Sequence, residues 1–165
     1  MHRYFIELAY NGSGYNGWQI QPNAPSVQEE INKALSLLLK QEINVTGAGR
    51  TDTGVHASFF VAHFESNVAI SHTKGLVDKL NRFLGKNIVI KDIYAVLPDM
   101  HARFSAISRT YKYYINKNKD PFTYPFSYRP HPLPDIRLMN KACELLTHYE
   151  DFTSFSKLHT DAPAR

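Results

Sequence analysis

The stretch Gly47-Ala48-Gly49-Arg50-Thr51-Asp52-Thr53-Gly54-Val55-His56-Ala57 decides the reading of this 165-residue chain. Its glycines and the run Thr51-Asp52-Thr53 place a sharp polar turn between two flanks, Ile43 to Thr46 and Val55 to Phe64, rich in β-branched and aromatic residues. The segment therefore reads as a loop joining two successive strands, with one carboxylate, Asp52, at its apex. A lone acid on such a loop suits a nucleophile or a base. The competing role is local, because an Asp beside Thr and Gly commonly bonds the amides of its own turn.

Upstream of the loop, Tyr4, Ile6, Leu8 and Tyr10 alternate with Phe5, Glu7 and Ala9, the period of a strand. Residues 11–17 are turn-rich. Ser26 can cap a helix and Glu29 can close a capping box, and Val27, Ile31, Ala34, Leu35 and Leu38 then recur at helical spacing. Downstream, a second helix is expected from about Ser71 to Leu84, with Leu76, Leu80, Phe83 and Leu84 inward and Gly85 as its stop. Ile88 to Leu97 reads as a strand. The order β-α-β-β-α-β predicts an α+β, ferredoxin-like fold: an antiparallel sheet with helices on one face and the other face free to bind.

That unit takes up residues 1–105, and the pattern restarts in residues 106–165. Tyr111, Tyr113 and Ile115 alternate like the first strand. A proline-rich excursion follows, then a helix from about Asp135 to His148. One stripe of it carries Ile136, Met139, Cys143 and Leu146, and a second carries Leu138, Ala142 and Leu145. Asp151 to Lys157 is expected to begin the next extended segment. This second copy is expected to be incomplete, its strand and helix exposing apolar surface for want of sheet partners.

Composition bounds the function. Hydrophobic residues make up 43% and charged residues 21%, as in a soluble globular protein with a buried core. A single cysteine, Cys143, excludes an internal disulfide and a zinc ribbon and fits a reducing compartment, so a cytoplasmic location is expected. No apolar run approaches the roughly 20 residues that span a bilayer, and the N-terminus lacks a signal-peptide pattern. The net charge of +4 is unevenly placed: residues 1–99 carry nine Lys/Arg against nine Asp/Glu, residues 100–165 ten against six. Within 101–119, Arg103, Arg109, Lys112, Lys117 and Lys119 meet no acid and are interleaved with Phe104, Tyr111, Tyr113 and Tyr114. Such a run suits a phosphate backbone and stacked bases, or else a solvated strand face over a tyrosine core.

Around Asp52, Arg50 lies two positions earlier and projects to the same side if the backbone stays extended, as a local ion-pair partner or a phosphate contact. His56 and His101 have no partners at metal-ligand spacing and read as structural histidines. Trp18 either packs its turn or lines a cleft mouth. Cys143, on a helical apolar stripe, reads as inert.

Several blocks together resemble the tRNA pseudouridine synthase A family. They are Tyr10-Asn11-Gly12 with Gly17-Trp18-Gln19, Ser26-Val27-Gln28-Glu29, Gly49-Arg50-Thr51-Asp52 with Gly54-Val55-His56, His101-Ala102-Arg103-Phe104-Ser105-Ala106, Arg109-Thr110-Tyr111-Lys112-Tyr113 and Asp151-Phe152-Thr153-Ser154-Phe155. The resemblance spans nearly the whole chain. It implies a pseudouridine synthase fold of two pseudo-symmetric halves, of which about a hundred further residues are expected. It also implies an isomerase acting on uridines 38 to 40 in the anticodon arm of tRNA, with base flipping and no cofactor or metal. The family's full-length members look like homodimers. Asp52 then matches the nucleophile, adding to ribose C1′ or to uracil C6. Tyr111 matches the residue that stacks on uracil and serves the C5 proton, and Arg50 faces the RNA. Arg103, Arg109 and Lys112 are RNA-contact candidates. A chain that stops inside the second half is expected to be weak or inactive alone.

A non-catalytic RNA-binding module on a ferredoxin-like sheet is the alternative. Against it, Phe59-Phe60-Val61 lacks the Gly-Phe context of the paired-aromatic RNA-binding signature. Phosphate hydrolysis of the P-loop kind fails, because no Gly-Lys-Ser/Thr follows the glycines.

Overall fold

The computed structural model describes residues 1–155. The closing Ala162-Pro163-Ala164-Arg165, and the end of the expected segment 151–157, lie outside the described residues. The chain forms two compact units, residues 1–110 and the part from Tyr111 onward.

The first unit is α+β. Strand β1 (His2–Tyr10) is followed by helix α1 (Val27–Leu39), β2 (Thr46–Gly47), β3 (Ala57–Ser66), α2 (Thr73–Phe83) and β4 (Ile88–Val96). The four strands form one sheet in the order β2-β3-β1-β4, every pairing antiparallel. The alternation in β1 sets the layering: Tyr4, Ile6, Leu8 and Tyr10 are buried. They share one core with Val27, Ile31, Ala34 and Leu35 of α1 and with Leu76 and Leu80 of α2, so both helices lie on that face of the sheet. On the other face Phe5 pairs with His63 and Tyr94, and Glu7 with Val61 and Asp92. The β1–β3 register slips between Leu8 and Tyr10, at the end of the sheet nearest the loop before β3.

Helix α1 starts where the capping residue predicts. Ser26 is fully buried and its Oγ accepts from the Glu29 amide at 3.3 Å. The Glu29 carboxylate is turned to Lys33 at 2.7 Å. Strand β2 is shorter than the sequence suggests, because the segment before it bonds to α1 rather than to β3. Gln28 donates to the Val45 carbonyl at 2.7 Å, Asn32 accepts from the Val45 amide at 2.9 Å, and Ser36 accepts from the Ile43 amide at 2.8 Å. Three polar side chains spaced four apart on one helix stripe thus satisfy backbone that a strand ladder would otherwise serve. Phe83, expected inward, is 51% exposed; Leu84 takes the buried place one residue later.

The second unit departs further from expectation. Among the described residues no strand forms over 111–115, and the ladder contact there is a parallel bridge between Ile115 and Tyr128. A strand exists only through its partners, and alternation at Tyr111, Tyr113 and Ile115 supplies none. Helix α3 (Ile136–Leu146) forms as expected, with Asp135 accepting from the Arg137 amide at 2.8 Å. Residues 153–155 make a short 3-10 helix where an extended segment is expected. None of residues 111–155 is buried, so both apolar stripes of α3 are exposed, Cys143 included.

Candidate active site

Asp52 stands in the irregular segment between β2 and β3 with its side chain exposed. Among the described residues no hydrogen bond or ion pair reaches its carboxylate. The turn it occupies is closed instead by backbone, the Val55 amide donating to the Asp52 carbonyl at 3.2 Å. The self-bonded turn acid, which competed with the nucleophile at the sequence level, is therefore not what forms. Arg50 is exposed too, and the two make no ion pair.

From Thr51 to His56 the loop carrying this acid is held by residues 10–18. Trp18 donates its amide to the Thr51 carbonyl at 3.1 Å, the Tyr10 hydroxyl meets Thr51 Oγ1 at 3.0 Å, and the Gly54 amide donates to the Tyr15 carbonyl at 3.3 Å. His56 Nδ1 accepts from the Gly12 amide at 3.1 Å, the structural role expected of it. The two chains run so close that a Cβ on Gly12 would lie 2.1 Å from the Val55 oxygen, and one on Gly17 2.2 Å from the Thr51 oxygen. Trp18, 2% exposed, packs against Phe60 with ring centres 4.4 Å apart. Its indole also covers Gly47, where a Cβ would fall 2.6 Å from the ring. Trp18 is thus the packing residue beneath the loop rather than a cleft lining. Tyr10, Gly12 and Gly17, which belong to the sequence blocks quoted for the family resemblance, carry the clamp; what the sequence does not show is that these blocks lie against the Asp52 loop.

The remaining candidates divide between the two units. Arg103 is exposed, its guanidinium 5.6 Å from the Phe104 ring centre. Arg109 is turned onto the protein, donating to the carbonyls of Ala48 and Arg103. Tyr111, 75% exposed, and Lys112, also exposed, belong to the second unit. Among the described residues no group of three His, Cys, Asp or Glu side chains is arranged to hold a metal ion, and no helix is long and apolar enough to cross a membrane.

Behind the loop, residues 101–105 fold into a turn mounted on β3. Buried His63 accepts from the Ala102 amide through Nδ1 at 3.2 Å, and His101 Nδ1 accepts from the Arg103 and Phe104 amides at 3.1 and 3.3 Å. The two imidazoles stack edge to face at 4.4 Å. Burial, then His101 and Arg3 nearby, lowers the His63 pKa from 6.5 to about 4; burial and the Arg3 and Arg103 charges lower that of His101 too. Between pH 6.5 and 4 the unfolded chain takes up a proton at His63 that the folded chain refuses, so stability falls as pH falls through that window. Urea unfolding should give a free energy lower at pH 4 than at pH 7, with His63 contributing on the order of 2 kcal/mol. His63→Gln should remove that share; an unchanged difference in the variant would mean that His63 is protonated in the fold.

A protein of Parabacteroides distasonis named tRNA pseudouridine synthase A is 51% identical over 161 residues, which cover 98% of this chain and 64% of that protein. A Bacteroides thetaiotaomicron protein of the same name is 53% identical over 98% of this chain and 60% of its own length. One of Chlamydia felis is 41% identical over 94% of this chain and 60% of its own length. The chain spans less than two thirds of the length of these relatives. No model of a known family matches it.

Proposed function

This chain belongs to the tRNA pseudouridine synthase A family over the stretch it shares with those proteins, and from that premise we propose that it carries the nucleophile-bearing half of a tRNA uridine isomerase. The observation that carries the reading is the Asp52 carboxylate: exposed, without a partner among the described residues, yet mounted on backbone clamped against residues 10–18. An acid with no structural employment on a rigid loop is positioned to react.

The reaction it serves is a rearrangement with no net redox change. Asp52 adds either to ribose C1′, displacing the uracil as its N1 anion, or to uracil C6, loosening the N1–C1′ bond. The ring turns, C5 bonds to C1′, the aspartate is released, the C5 proton is lost and N1 is protonated. Atoms and electrons balance without a cofactor. Tyr111 stacks on the uracil and serves the C5 proton. Arg50 helps to hold the uridine out of its stack, as chemistry on a base within a helix requires. Arg103 and Lys112 contact the RNA backbone, and the substrates are uridines 38 to 40 of the anticodon arm.

On this reading the first unit, with its β-α-β-β-α-β order and β2-β3-β1-β4 sheet, is ferredoxin-like, and the second begins another copy. The complete enzyme is a cytoplasmic homodimer with a pseudouridine synthase fold. The exposed apolar stripes of α3 support a requirement for further partners in that second half.

The test is a chimaera in which this chain replaces the matching stretch of the Parabacteroides distasonis relative. Incubated with tRNA containing 5-fluorouridine, whose C5 fluorine cannot leave as a proton does, the chimaera should form a covalent adduct. The 165-residue chain alone should bind RNA weakly, with a steep salt dependence, and turn over little. A folded chimaera that binds tRNA without ever forming the adduct would leave a non-catalytic RNA-binding module instead.

A further inference from the structure

Arg109 lies one residue before the end of the first unit, and its side chain reaches back to the root of the Asp52 loop. Nε and Nη2 donate to the Ala48 carbonyl at 3.0 and 2.8 Å, and Nη2 also donates to the Arg103 carbonyl at 2.6 Å. A Cβ added to Gly49 would lie 3.6 Å from Nε, at ordinary contact distance, so the guanidinium lies beside Gly49 as well as Ala48. Ala48 leaves β2 four residues before Asp52, and its own amide is fixed to the Val61 carbonyl of β3 at 2.8 Å.

The second anchor is equally fixed. Arg103 sits in the turn whose Ala102, Arg103 and Phe104 amides donate hydrogen bonds to His63 and His101, and that turn is closed by the Ser105 amide donating to the His101 carbonyl at 2.8 Å. One planar cation thus joins two carbonyls from segments 55 residues apart, in a fork that a point charge on a flexible stem cannot reproduce. Residues 10–18 restrain the loop at Thr51, Gly54 and His56; Arg109 restrains it at Ala48.

We propose that Arg109 is a positioning residue for Asp52, fixing the loop root through the Ala48 and Arg103 carbonyls rather than serving as an RNA-phosphate contact. The proposal rests on the reading of Asp52 as nucleophile only for its catalytic consequence; the restraint on the loop stands without it.

Hydrogen exchange and RNA binding separate the two roles of Arg109 in the full chain. Arg109→Ala and Arg109→Lys should both speed exchange of the Ala48, Gly54 and Val55 amides by tenfold or more, with the Ile6 and Leu8 amides of β1 unchanged. The slope of log affinity for RNA against log salt should stay as in the parent. In the chimaera, Arg109→Lys should lower the adduct-forming rate at saturating tRNA by about 10- to 100-fold, with half-saturation within twofold. The proposal is overturned if loop exchange stays at the parent value, or if lysine restores parental behaviour while alanine reduces the salt slope by about one, the pattern of a lost phosphate contact. Should Arg109→Ala also expose the β1 amides, Arg109→Lys is decisive by itself. An isomerase reading that failed would show instead as a parent chimaera without adduct, whatever the exchange data gave.

Discussion

Asp52→Ala in the chimaera should abolish the covalent adduct with 5-fluorouridine tRNA, lowering its rate by a factor on the order of 10³ or more, while stability changes by less than about 0.5 kcal/mol. The pairing of these two outcomes carries the argument. An acid bonded to its own turn would cost about 1 kcal/mol when removed, and chemistry would suffer only as far as the loop sagged. The structure offers no such bond: the turn is closed by the Asp52 carbonyl, which alanine keeps. Loss of the carboxylate therefore removes nothing that holds the loop, and any loss of rate belongs to the reacting group. Asp52→Asn sharpens the test, since it keeps size and polarity and removes the nucleophilic oxygen. Adduct yield by gel shift and thermal unfolding of the same preparations decide the matter. Equal adduct in parent and variant would withdraw Asp52 from the nucleophile role, and melting lowered along with activity would restore the turn acid.

What the sequence made legible was the part governed by short periods. The alternation Tyr4, Ile6, Leu8, Tyr10 placed the buried face of β1, and Ser26 placed the start of α1 to the residue, because both are set by neighbours within a few positions. The glycine loop announced a turn and its acid. Its supports were not legible, since they pair residues 33 to 44 apart: Trp18 with Thr51, Gly12 with His56, Tyr10 with Thr51. Nothing in the local pattern of either segment says that the other will lie against it. The length of β2 was misjudged for a related reason, as Gln28, Asn32 and Ser36 compete for its backbone from a helix stripe that reads as ordinary polar surface. The strand expected at Tyr111–Ile115 shows the converse error. Alternation gives a segment two faces but does not provide the neighbouring strand that makes it β. Arg109 stands in a basic aromatic run, and its position in that run hides the carbonyls that occupy it.

Gly17→Ala should be among the most damaging single substitutions in the first unit, costing about 2–4 kcal/mol, and the reason can be divided among four glycines. At Gly85 the backbone is not left-handed and nothing lies within 4 Å of an added Cβ, so alanine there should be nearly neutral. Gly54 has φ +79° with open space around it, which isolates the conformational cost at about 1 kcal/mol. Gly12 isolates the clash: a Cβ 2.1 Å from the Val55 oxygen can be relieved only by moving backbone, at roughly 1–3 kcal/mol. Gly17 combines both, with φ +91° and a Cβ 2.2 Å from the Thr51 oxygen. That same oxygen accepts from the Trp18 amide, so retreat of the Thr51 backbone also pulls on the residue that fills the space against Phe60. Urea unfolding of the four alanine variants should rank them Gly85, Gly54, Gly12, Gly17 in rising cost. In the chimaera, Gly12→Ala and Gly17→Ala should lose adduct formation beyond their loss of folded fraction, because the displaced atoms belong to the residues on either side of Asp52. A Gly17 variant as stable as the Gly85 variant would mean that residues 10–18 do not clamp the loop, and Asp52 would then lack the rigid mounting from which its reactivity is argued.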